Sequence, residues 1–119
     1  MAVVGDVVAK VKLSGSTSGK GIKLANTSTT IHTAVAGAVN YDEIWIWVLN
    51  THTAAVVCTI EFGGTTDPDN VIEKTIPADD GLFLMVPGLI LDGGLVVGGK
   101  GGTTNVLVAY GYVHNLTAS

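Results

Sequence analysis

Short apolar runs, cut by clusters of Gly, Pro, Asp, Asn and Thr, recur along the whole chain. Read as strands between turns, they fall at residues 21–24, 30–35, 42–49, 55–62, 71–76, 82–86, 89–91, 95–97 and 105–114. Residues 3–13 are β-prone but irregular, because Gly5-Asp6 interrupts them. Residues 79–85 come nearest to a helix, and Gly81 between Pro77 and Pro87 argues against one. Pro87-Gly88 is expected to end the run that starts at Leu82, and the Gly98-Gly99-Lys100-Gly101-Gly102 segment is expected to supply turn glycines. The pattern predicts an all-β fold: a jelly-roll-like β-sandwich of about eight short antiparallel strands. Residues 21–119 form a single domain in this reading. Residues 1–20 are an N-terminal arm or edge strand with a flexible Ser/Gly loop, Ser14-Gly15-Ser16-Thr17-Ser18-Gly19.

One run departs from simple alternation. Ile44-Trp45-Ile46-Trp47-Val48-Leu49 is apolar at every position. As a strand it shows Trp45, Trp47 and Leu49 on one face and Ile44, Ile46 and Val48 on the other. Both faces then need a cover. The domain core supplies one, and a second protein chain is the expected source of the other. Residues 55–62 alternate conventionally, with Val56, Cys58, Ile60 and Phe62 inward and Thr59 and Glu61 outward. In the last run Tyr110 and Tyr112 share a face with Val108 and His114, read as a core wall or an interface.

Composition narrows the class. The chain has 119 residues, 47% of them hydrophobic and only 13% charged, against roughly 25% charged in average chains. Its neutral surface, rich in Thr, Ser, Asn and Gly, suits either a protein largely covered by neighbours or a small, compact β-domain with short loops. Six lysines and no arginine, with a net charge of −4, argue against nucleic acid as a partner. No apolar run approaches the length of a bilayer span, which argues against a membrane partner. Met1-Ala2-Val3-Val4-Gly5-Asp6 does not read as a secretion signal, and the lone Cys58 reads as a buried apolar side chain, so the chain is expected to be made in a reducing cytoplasm.

Candidate chemistry is sparse. His32, His52 and His114 lack the close spacing of a local metal site, and no nucleophile elbow is present. Gly-Lys at 99–100 is not spaced as a phosphate-binding loop. Asp67, Asp69 and Asn70 with Asp79 and Asp80 are the nearest approach to an oxygen-rich calcium site, and read better as solvated turns. The chain is therefore expected to have no catalytic residue, cofactor or metal. Replacing His32, His52, His114 or Cys58 by Ala is expected to leave assembly intact, with a packing cost at Cys58 alone. Leu24-Ala25-Asn26-Thr27-Ser28-Thr29-Thr30 echoes Val48-Leu49-Asn50-Thr51-His52-Thr53-Ala54, which reads as one turn chemistry used twice.

Over residues 42–113 the order is an apolar strand, Asn50-Thr51-His52-Thr53-Ala54, a Val/Thr strand, a Gly/Asp loop and Ile76-Pro77-Ala78-Asp79-Asp80-Gly81. Leu82-Phe83-Leu84, Gly88-Leu89-Ile90-Leu91-Asp92-Gly93-Gly94 and a Val-rich closing strand complete it. This resembles the small β-sandwich structural proteins of tailed bacteriophage virions. The acidic residue usual after the second glycine of that pattern is missing here, where Leu95 follows Gly94. The resemblance implies a virion component, made in the host cytoplasm and mounted on the capsid surface. It would be a decoration (cement) protein that binds the major capsid protein and its own copies, as a homotrimer on three-fold lattice positions. The interface residues expected are Lys10, Lys12, Trp45, Trp47, Tyr110 and Tyr112. The alternatives are a tail or neck accessory protein, or a carbohydrate- or host-binding module that would need solvent-facing rings.

Overall fold

A computed structural model describes residues 7–117. Nine antiparallel strands form two sheets: β1 (Val7–Lys12), β2 (Ile22–Leu24), β3 (Thr29–Thr33), β4 (Tyr41–Asn50), β5 (Val56–Phe62), β6 (Val71–Ile76), β7 (Leu82–Leu91), β8 (Val96–Gly101) and β9 (Leu107–Thr117). The five-stranded sheet runs β1-β9-β4-β7, with β2 also paired to β9, and the four-stranded sheet runs β3-β8-β5-β6. From β2 onward the chain changes sheet at every connection except β5–β6. That order is a jelly roll, the form of sandwich the turn spacing predicted.

The core lies between the sheets. Ile44, Ile46 and Val48 of β4 are fully buried and meet Ile60, Cys58 and Val56 of β5, with Leu24, Ile31, Ile76, Val86, Val97, Leu107 and Val113. Burial alternates strictly along β4, so the face assignment drawn from sequence holds residue by residue. Burial also pushes the Cys58 thiol up to about 12, consistent with an inert apolar side chain.

Three expectations need correction. Pro87-Gly88 does not end a strand: β7 passes through it to Leu91. β7 is the sheet's edge, where a missing ladder N–H is tolerated, and the register shifts between Ile44 and Trp45 absorb Gly88 at φ +74°. The glycines at 98, 99 and 101 are not turn residues, because they lie in β8 between β3 and β5. A Cβ on Gly99 would stand 2.9 Å from Ile31 Cδ1 and 3.3 Å from Leu24 Cδ1, so the core packs directly onto its backbone. The two Asn-Thr turns differ as well. Asn50 is buried; its Oδ1 accepts from His52 N, and its Nδ2 donates to the carbonyls of Ala54 and Ile76. In the earlier turn it is Thr29 Oγ1 that accepts, from Ala25 N.

β1 pairs with residues 112–117 of β9, and every one of its side chains is exposed. The part of the expected strand before Val7 lies outside the described residues. The chain then leaves the sheet, buries Leu13 in the core and reaches β3 through Gly15 N to Ile31 O, before β2 returns to β9.

Candidate functional site

Opposite residues of antiparallel neighbours share a face, so the strand registers define the outer surface of the five-stranded sheet. β4 supplies Tyr41, Glu43, Trp45, Trp47 and Leu49 to it. Trp45 lies opposite Tyr112, Trp47 opposite Tyr110, and Glu43 opposite His114. Across β9 the register places Lys10 beside His114 and Lys12 beside Tyr112. On the other flank Ile90, Pro87, Leu84 and Leu82 of β7 stand beside Glu43, Trp45, Trp47 and Leu49. Lys10, Lys12, Trp45, Trp47, Tyr110 and Tyr112, which lie far apart in sequence, therefore meet on one surface. The face of Tyr110 and Tyr112 is not a core wall: Tyr110 is exposed, and Tyr112, Trp45 and Trp47 are half-buried.

The rings form a connected ladder. Trp45 and Trp47 stack with centroids 6.2 Å apart and planes 19° apart, Trp47 and Tyr112 are 5.9 Å apart, and Tyr112 and His114 are 5.3 Å apart. Glu43 closes it into a circuit, because its Oε1 accepts from Trp45 Nε1 and His114 Nδ1, both at 2.9 Å. Those two bonds, His114's first, lower the Glu43 carboxyl from its ordinary value. Lys10 Nζ sits 4.3 Å from the Tyr112 ring centroid.

Glycines let the rings lie down. A Cβ on Gly88 would stand 2.7 Å from Trp45 Cζ2, and one on Gly21 would stand 2.8 Å from Tyr110 Cζ. Trp45 thus leans over the β7 bulge and Tyr110 over the start of β2. The result is an aromatic deck, fringed by exposed Val8, Leu82 and Ile90 and by the two lysines. Tryptophan and tyrosine are the residues enriched where proteins bind one another.

The other polar residues are placed elsewhere. His32 and Asp42 join the two sheets inside the core. Ser14 N donates to His32 Nδ1, so the ring proton is at Nε2, which donates to Asp42 Oδ2 at 2.7 Å. Asp42 also accepts from Val35 N and from Asn115 Nδ2. Ser14 Oγ accepts from Thr33 N, so this Ser, His and Asp are not arranged as a nucleophilic triad. His32 is thus structural, which corrects the expectation that only Cys58 carries a packing cost. Sequence reasoning also missed Asp42, although alternation places it on the face of Ile44. His52 lies beyond the far end of β4 from Glu43 and Asp42. Asp67 and Asp69 precede β6, whereas Asp79 and Asp80 follow it, so they do not form one calcium site. Among the described residues no group of three or more His, Cys, Asp or Glu side chains is gathered as for a metal ion.

Comparison with protein families, curated proteins and solved structures gives no match to this chain.

Proposed function

We propose that this protein is a non-enzymatic structural component of a tailed-bacteriophage virion, a decoration protein that docks on the capsid shell and on its own copies. The observation that carries the docking role is the aromatic deck, where the interface candidates converge on one surface. Large exposed apolar patches are unusual on monomers and mark contact sites. The jelly roll is a form used by viral capsid and lectin domains, although a fold alone does not fix a function. The virion assignment draws on the sequence resemblance, which spans residues 42–113. A homotrimer is the proposed assembly, because capsid lattices offer three-fold positions.

Light scattering at micromolar concentration tests the assembly: the expected mass is three chains, falling to one in Trp47→Lys. A monomeric wild type refutes the oligomer. Immunogold labelling of phage particles tests the location, and unlabelled capsids refute it.

The half-exposed rings favour a second reading, a glycan-binding module. A glycan array that shows binding lost in Tyr110→Ala would select it over the first.

A further inference from the structure

The opposite surface of the sandwich holds a feature unrelated to the deck. Glu61 lies on β5 between Ile60 and Phe62, facing away from the core. Its side chain is nevertheless 93% covered, at 7% exposure. Among the described residues, its Oε1 is the buried side-chain polar atom left without a hydrogen-bond partner. Burying such a group unpaired costs about 1–3 kcal/mol, and more if it is charged. Glu61 is one of the residues that line a cavity of about 170 Å³, with Ser28, Gly63, Gly64, Thr65, Val96 and Gly98, and its covered Oε1 lies behind that lining. Gly98 faces Glu61 across the β5–β8 pair. A Cβ there would stand 2.7 Å from Ser28 Oγ and 3.6 Å from Glu61 Oε1, so the absent side chain opens the space.

The cavity's size and lining select a ligand. It is close to the ~150 Å³ of an engineered apolar cavity that takes benzene, and it is too small for the ~300 Å³ or more of ordinary drug-sized sites. Three of the seven residues in its walls are glycine, and Val96 adds a fourth apolar surface. Water needs two to four polar partners, which such walls supply poorly. A metal ion would want several oxygens, and one carboxyl is present. An unbranched alkyl stem ending in an ammonium fits both halves: methylenes against glycine and valine, N–H donors toward the Glu61 carboxyl and Ser28 Oγ.

We propose that the Glu61 cavity is a binding site for a primary alkylammonium group, either the side chain of a lysine on another copy of this chain or a free amine. Among the described residues the ion pairs formed both use histidine, so Lys12, Lys20 and Lys23 remain open to such a contact.

Titration of the full chain with n-butylammonium chloride, followed by the amide chemical shifts of Gly63, Gly64 and Gly98, tests the site. Saturable shifts are expected in the wild type. In Glu61→Gln, which keeps shape and removes the charge, affinity should fall about tenfold or more. Gly98→Ala, which places a methyl between Ser28 Oγ and Glu61 Oε1, should weaken binding even if the glutamine variant folds poorly. Saturation by n-butanol at the same concentrations, the same affinity in Glu61→Gln, or no saturable shift in the wild type overturns the proposal. Sedimentation velocity distinguishes the sources. Self-association dispersed by excess butylammonium assigns the group to a lysine of another copy, and unchanged sedimentation alongside saturable binding assigns it to a free amine.

Discussion

Removing both partners of the buried His32–Asp42 pair should cost less than the sum of removing each alone. His32→Leu takes the 2.7 Å bond from Asp42 Oδ2 and strands Ser14 N–H, which donated to Nδ1 at 3.0 Å. Asp42→Leu strands three donors: His32 Nε2, Val35 N and Asn115 Nδ2. Breaking a buried pair by removing one member costs about 3–5 kcal/mol. A chain of 119 residues holds roughly 6–18 kcal/mol in total. Each single variant therefore loses a sizeable share, visible as a fall of about 12 °C or more in Tm. In the double variant the stranded carboxylate and the stranded imidazole both vanish. Its loss should fall short of the summed single losses by about 2 kcal/mol. Urea titration followed by tryptophan fluorescence measures all four corners of the cycle. A coupling below about 0.5 kcal/mol, the scatter of independent sites, would refute the pair as a unit linking the two sheets.

Glu43's lowered carboxyl gives the deck an acid limit. The bonds from His114 and Trp45 favour the ionised form, so their contribution is full above the unfolded value of 4.5 and is lost as pH falls through the lower folded value. Tryptophan emission should shift below pH 4.5 in the wild type and lose that step in Glu43→Gln; identical titrations would count against the circuit. Gly99→Val should destabilise by about 3 kcal/mol or fail to fold, because Ile31, Leu24 and Ile60 Cδ1 atoms already lie 2.9–3.4 Å from any Cβ there; a thermal melt within a few degrees of wild type would contradict the packing. Deletion through Lys12 should weaken assembly more than it lowers Tm, since the side chains of β1 are exposed. Deletion through Leu13 removes a core side chain and should unfold the domain, so equal melting of the two truncations would be the wrong result for this reading.

Much of this fold is written in period-two alternation. Burial along β4 follows it strictly, because that strand lies inside its sheet with one face on the core, whereas Thr59 and Glu61 of β5 are buried although they face away from the core. Sequence reading failed where a local signal meant something else in three dimensions. Pro87 looks like a strand end until β7 proves to be an edge. The glycines of β8 look like turns until Ile31 and Leu24 are found lying on Gly99. The deck was half legible. Alternation placed Trp45 with Trp47 and Tyr110 with Tyr112, but only the β4–β9 register brings the pairs together. Glu43 and His114 were read as a flank and a strand end, because their shared bond spans 71 residues of sequence. Glu61 carried a faint signal, a lone acid in an apolar strand. Its significance depends on the facing residue being Gly98, which sequence alone does not pair with it.

The stoichiometry of the assembly would itself say which surfaces meet. A two-fold contact is isologous, so the deck of one copy would lie on the deck of the next. Lys10 and Lys12 would then face their own counterparts or Glu43 across the axis. A three-fold ring is heterologous: the deck of each copy must meet a different patch on its neighbour. The outer face of the far sheet points away from the deck, and pairing the two would build an open stack. The β5–β6 loop at the end of the sandwich offers a patch of opposite charge, with Asp67 and Asp69 exposed. Lysines on one surface and carboxyls on another would orient such a head-to-tail contact and speed its formation. A trimer therefore predicts that assembly weakens with salt and is lost on charge changes in either surface, Lys12→Glu or Asp69→Lys. A deck-to-deck dimer predicts that Asp69→Lys has no effect. Sedimentation of those variants at low and high salt separates the two, and a salt-insensitive trimer indifferent to both changes would exclude the charged head-to-tail contact.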